Sequence, residues 1–185
     1  MGHSGGFDLG AATVVTLLPS EELGIAVLTN AAPMGVPETI SASFFDLVLH
    51  GKIEKDWGKT FKEAFDALNK PAYGTAVDYL KPPAWPSPPL PSEAYVGTYD
   101  NAYFGAVEIV EKDGALFLRM GPKETSFPLR HWDRDMFIYQ PVGEMASGLS
   151  GVTFWVGPEG RGMMVVVENL DTHGQGTFTR VPAKK

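Results

Sequence analysis

Residues 80–92 (LKPPAWPSPPLPS) hold six prolines. Proline fixes φ and has no N–H to donate, so such a run enters neither a helix interior nor a central strand. It reads as a stiff, extended, polyproline-type connector that divides the 185-residue chain into parts with separate cores. Both parts have the means to build one, since 44% of the residues are hydrophobic and 20% charged. That balance is globular rather than disordered.

Upstream of the prolines, residues 11–18 (AATVVTLL) and 23–29 (LGIAVLT) are apolar and β-branched, with Pro19-Ser20-Glu21-Glu22 between them. Two such runs around a polar break predict an antiparallel hairpin. Neither run alternates, so both faces are expected to be covered. A helix is predicted to start at Pro37 with Glu38 in its first turn. Its stripe is Ile40, Phe44, Leu47 and Val48, and Gly51 is its cap. A second helix is predicted over about 55–69, where Trp57, Phe61, Ala64, Phe65 and Leu68 share a face and Pro71 stops it.

Downstream of Tyr95 the texture is aromatic and β-rich. Strands are predicted near 95–100, 105–111, 115–120, 126–130, 136–140, 152–156, 163–168 and 176–181. Turn chemistry such as Lys112-Asp113-Gly114 and Gly157-Pro158-Glu159-Gly160 separates them. Close spacing of short strands predicts a small antiparallel barrel or sandwich. The expected organisation is residues 1–53, then a helix and proline-rich linker over 54–92, then the all-β domain over 93–185.

The formal charge is −7 with no long run of one sign, which argues against nucleic acid as a partner. There is no cysteine, so disulfides, thiolate metal sites and a cysteine nucleophile are excluded. No apolar run has the length of a membrane span, and the opening residues lack an export-signal pattern. His3, His50, His131 and His173 show no metal-binding spacing, so no metal or cofactor is expected. Gly58-Lys59-Thr60 lacks the earlier glycine of a phosphate loop, because Ile53 stands there.

His3-Ser4-Gly5-Gly6 stands directly before the hairpin. Glycines at a strand let a ligand approach closely. A strand amide beside them can donate to a developing oxyanion, and a histidine can donate or shuttle a proton. A glycine-rich tail of no chemical consequence has the same composition. The abrupt opening on this motif leads to the expectation that the sequence is the tail of a larger enzyme.

The stretch GHSGGFDLGAATVVTLLPSEELGIAVLTNA resembles the end of the catalytic domain of serine β-lactamase-like hydrolases. That superfamily includes class C β-lactamases, penicillin-binding proteins, D-aminopeptidases and related esterases. In it a third active-site box, Lys-Thr-Gly or His-x-Gly, lies on an edge strand, and a hairpin and C-terminal helix follow. The resemblance covers about residues 2–50. It implies that His3 replaces the box lysine, that Gly5 leaves room for substrate and that the Gly6 amide is an oxyanion donor. Tyr95-Val96-Gly97-Thr98-Tyr99, Asp113-Gly114-Ala115-Leu116, His131-Trp132-Asp133 and Thr177-Phe178-Thr179-Arg180 resemble an accessory domain found after such hydrolases, which is a lipocalin-like barrel. The expected fold class is therefore α+β, a β-lactamase-like remnant of edge strands and two helices followed by that barrel.

The superfamily's Ser-x-x-Lys nucleophile box is missing, since none of the nine serines has lysine three residues on. The lysine would take the serine's proton, so this chain is not expected to be catalytic alone. Tyr99-Asp100-Asn101 matches the second box, Tyr-x-Asn, in letters but follows the third box instead of preceding it, and is read as a strand-ending turn.

Three functions remain open. The chain is the C-terminal portion of an exported or periplasmic serine hydrolase acting on a small amide or ester. Or it is a ligand-binding module, with Trp132, Phe137, Tyr139, Phe154 and Trp155 lining a barrel cavity instead of filling its core. Or it self-associates through exposed strand edges, making homo-oligomers.

Overall fold

Strand pairing in the first part follows the apolar runs. In the computed structural model, which describes residues 1–144 and 146–182, β1 (Gly2–Phe7), β2 (Ala11–Leu18) and β3 (Leu23–Thr29) form an antiparallel sheet in the order β1-β2-β3. The hairpin register pairs Val14 with Val27 and Thr16 with Ile25. Helix α1 (Val36–His50) packs on β2 and β3, and α2 (Trp57–Leu68) packs on α1. Gly51 adopts φ 71° and returns its N–H to Leu47 O at 3.0 Å, closing α1 with a left-handed cap.

The faces differ from the sequence expectation. Ala12 and Val14 are buried, whereas Val15, Leu17 and Leu28 on the opposite sheet face are exposed. Ile40, Leu47 and Val48 of the predicted stripe are about half exposed, while Pro37, Ser41 and Asp46 are buried. The cause is polar anchoring. The Ser41 hydroxyl donates to Thr16 Oγ1 at 3.0 Å. Asp46 accepts Trp57 Nε1–H at 2.7 Å and the Glu54 amide at 2.8 Å. These bonds, led by that from Trp57, hold the Asp46 carboxyl below its ordinary pKa.

Among the described residues the second part holds nine strands: β4 (Gly97–Asp100), β5 (Val107–Lys112), β6 (Ala115–Met120), β7 (Thr125–Pro128), β8 (Arg130–Asp133), β9 (Met136–Tyr139), β10 (Ser150–Val156), β11 (Gly162–Val167) and β12 (Thr177–Arg180). They form one antiparallel sheet in the order β7-β6-β5-β4-β12-β11-β10-β9-β8. The two outermost strands, β7 and β8, are separated in sequence by Leu129 alone. The sheet therefore curls back on itself into a nearly closed barrel, the solution that removes exposed edges. One strand was predicted over 126–130; it divides at this corner.

The interior is apolar and aromatic. Tyr95, Tyr99, Val107, Ile109, Leu118, Val152, Val165 and Phe178 are at most 3% exposed. Tyr95 packs on Phe137 and Phe154, with ring centroids 5.1 and 4.8 Å apart. Such contacts add to the area term of burial.

Two compact units result, residues 1–70 with 143 and 144, and residues 71–142 with 146–182. The proline-rich stretch groups with the second. It is docked through Ser87, whose amide donates to Asp133 Oδ1 at 2.6 Å and whose carbonyl accepts from the Arg134 amide at 2.8 Å. Upstream of it, Tyr79 and Trp132 stack edge to face at 5.4 Å in a smaller cluster with Ile138.

Candidate functional site

β1 is an edge strand, and pairing chemistry fixes which of its groups are free. Met1 exchanges both bonds with Leu17, at 2.8 and 2.7 Å. Antiparallel ladders alternate bonded and non-bonded pairs. From that register, His3, Gly5 and Phe7 turn their backbone groups toward Val15, Thr13 and Ala11. Gly2, Ser4 and Gly6 turn theirs to the free edge.

Side chains alternate as well. Ser4 lies on the α1 side, where its hydroxyl donates to the Glu38 carboxylate at the start of that helix. A Cβ at Gly6 would stand 2.5 Å from Pro33 Cγ, so only glycine fits beneath that ring. His3 and Gly5 lie on the other, exposed sheet face. A Cβ at Gly5 would meet nothing nearer than Thr13 Oγ1 at 3.7 Å. The structure thus puts the imidazole and the Gly6 amide on one short edge, in different directions. The His3 imidazole has no hydrogen-bond partner among the described residues. The motif did not point to Glu38, whose Oε2 is buried without a partner among the described residues. Its acidic first-turn position was visible, but its reach to Ser4 was not.

The Tyr-x-Asn letters end a strand: Tyr99 and Asp100 close β4, and Asn101 anchors the turn that follows. Asn101 Nδ2 donates to Gln175 O and Thr177 O at 2.8 and 2.7 Å, and its Oδ1 accepts the Tyr103 and Phe104 amides. The aromatic set proposed for a cavity divides. Phe137, Tyr139 and Phe154 are interior core, Trp132 packs with Tyr79, and Trp155 is 61% exposed. Among the described residues no group of three or more His, Cys, Asp or Glu side chains converges on a metal position. No described helix is long and apolar enough to cross a membrane.

The two barrel motifs meet each other. Arg180 donates from Nη1 to Val96 O at 2.8 Å and from Nη2 to Ala94 O, Tyr95 O and Tyr99 Oη at 3.1, 3.3 and 2.6 Å. Its Nε–H donates to Gly162 O. The Tyr99 hydroxyl donates to Tyr95 O at 2.7 Å. Burial raises the Tyr99 phenol to about 12 despite the guanidinium, which opposes that rise.

A family profile described as "Domain of unknown function (DUF3471)" matches residues 81–179. The crystal structure of the C-terminal domain of penicillin binding protein Rv0907 is 36% identical in sequence, covering 54% of this chain and 94% of that one, with a TM-score of 0.49. The crystal structure of SurE with D-Leu is 20% identical, covering 97% of this chain and 35% of that one, with a TM-score of 0.39. No curated protein matches.

Proposed function

The chain belongs to the DUF3471 family, and from that premise we propose that it is the C-terminal portion of a serine hydrolase of the β-lactamase and penicillin-binding-protein superfamily. Its substrate is a small amide or ester, opened through an acyl-enzyme. The observation that carries this reading is the order of parts. An edge strand bearing His3-Ser4-Gly5-Gly6 is followed by a hairpin, a helix and then the family's barrel. The 36% identity to the C-terminal domain of a penicillin-binding protein, a sequence relation over nearly all of that domain, supports the same assignment.

In this reading the edge strand is the wall of the active site. The Gly6 amide, directed off the sheet, donates to the oxyanion as the carbonyl carbon becomes tetrahedral. Gly5 leaves the adjoining face clear. His3 donates to the substrate or the leaving group. The attacking serine and its lysine base are supplied by residues outside this sequence. Donors without an activated nucleophile stabilise nothing that forms. The lipocalin-like barrel is an accessory domain of the whole protein.

The test compares this chain with a longer one carrying an upstream Ser-x-x-Lys and Tyr-x-Asn. The longer chain turns over nitrocefin or a p-nitrophenyl ester, and His3→Ala lowers its kcat on the order of a hundredfold. The present chain gives no turnover and no acyl adduct by mass spectrometry. Turnover or an adduct on this polypeptide overturns the reading.

A further inference from the structure

At one end of the barrel the start of β4, the end of β12 and the β10–β11 turn enclose a cleft of about 1000 Å³. Val96, Met163 and Val181 give it apolar walls, and Met163 and Val181 are 56% and 42% exposed. Arg161 and Arg180 also line it. All of these residues belong to the second unit.

The charge of this cleft is not balanced from within. A guanidinium has five N–H donors. Among the described residues every acceptor of Arg180 is neutral, four backbone carbonyls and one phenol. Its Nη1 has one acceptor among the described residues for two hydrogens. Among the described residues no carboxylate lies within ion-pair distance of Arg180 or Arg161. A partly buried charge satisfied only by dipoles keeps its field, and apolar walls strengthen it by excluding water. Two arginines and one glutamate line the cleft, a net charge of +1 where the chain as a whole carries −7. Glu159 also lines the cleft, and Glu93 and Glu111 line an adjoining one shared with both arginines. Those carboxylates disfavour a ligand with two negative charges.

We propose that this cleft binds an organic monocarboxylate with an apolar body, of the medium-chain fatty-acid type. The headgroup meets Arg161 and the field of Arg180, and the alkyl chain lies along Val96, Met163 and Val181. The site is separate from the barrel interior, and it does not depend on a nucleophile.

Isothermal titration of the full 185-residue chain with decanoate, decanol and decylamine, below their micelle concentrations, tests it. Decanoate saturates at one per chain, decanol binds roughly tenfold more weakly for want of the charge-assisted bond, and decylamine does not bind. Arg161→Gln weakens decanoate roughly tenfold and leaves decanol unchanged. Met163→Glu abolishes both. Each altered side chain is exposed, so thermal melts of both variants match the parent. Absence of saturable decanoate binding, equal binding of decanoate and decylamine, or decanoate binding untouched by both substitutions overturns the proposal.

Discussion

The guanidinium of Arg180 occupies the volume in which a side chain on Gly97 would begin. A Cβ at Gly97 would overlap Nη1, and Gly97 adopts φ 153°, at the edge of the range that favours glycine. Strand β4 and strand β12 are thereby keyed together at the barrel seam. Gly97→Ala is expected to destabilise the chain by roughly 2–4 kcal/mol, through overpacking and backbone strain. Arg180→Ala removes the obstructing group, so Gly97→Ala costs at least about 1 kcal/mol less in that background. Urea denaturation of the four proteins of this cycle measures the coupling. Strict additivity would show that the two residues do not share the space.

The tyrosines set an alkaline limit. Burial is the first cause raising both Tyr95 and Tyr99 to about 12, from an ordinary value of 10.0. A raised folded value means that the native state holds its proton more tightly than the unfolded chain. Their contribution to stability is therefore complete below about pH 10 and is lost as pH rises toward 12. Unfolding midpoints in urea should hold from pH 8 to 9.5 and fall steeply above 10. Tyr95→Phe flattens that fall. It also lowers stability at neutral pH by about 1–3 kcal/mol, since Tyr95 Oη accepts the Leu90 amide and donates to Asp135 Oδ1.

Glu168 gathers three donors, the Gly74 amide at 2.9 Å, the Tyr79 hydroxyl at 2.8 Å and the Gly151 amide at 2.9 Å. Burial, reinforced by this carboxylate, drives the Tyr79 phenol far above its usual range. Tyr79→Phe is expected to cost about 1 kcal/mol and Glu168→Ala roughly 2–3 kcal/mol, because the alanine leaves partly buried amides without an acceptor. Hydrogen exchange provides the local readout. The Gly74 and Gly151 amides lose protection in Glu168→Ala while the core amide of Val165 keeps it.

The free edge of β1 offers the outward groups of Gly2, Ser4 and Gly6, beside a sheet face with Val15 and Leu17 half exposed. Such an edge recruits another strand. Dimerisation that grows with concentration is expected in light scattering. Ser4→Pro, which removes an outward N–H, abolishes it. A monomer at every concentration removes self-association from this edge.

Much of the fold was legible because turn chemistry punctuates it. Pro19 and the acidic pair after it separate β2 from β3 at the residues expected, and Gly51 ends α1 where a cap glycine was read. Burial was less legible. The segment forming α1 has apolar residues around most of its circumference, so spacing alone does not choose the face that packs on the sheet. That choice is made by Ser41 and Asp46, whose partners Thr16 and Trp57 lie on other elements. The β1 box could be placed on an edge strand only through a resemblance, and its free amides follow from a register that propensity does not carry. Tyr95–Tyr99 and Thr177–Arg180 stood out as separate motifs. Their shared purpose required the barrel seam, which brings distant segments together.

β12 lies beside β4, with Thr179 opposite Asp100 and Arg180 opposite Tyr99. The barrel's entry and exit strands are therefore neighbours. A module with adjacent ends can be grafted after a host domain, or spliced into a surface loop of one, with both junctions at a single place and no strand threaded through the host. Circular permutation that joins those ends and opens the chain at the Gly157–Gly160 turn should preserve the barrel.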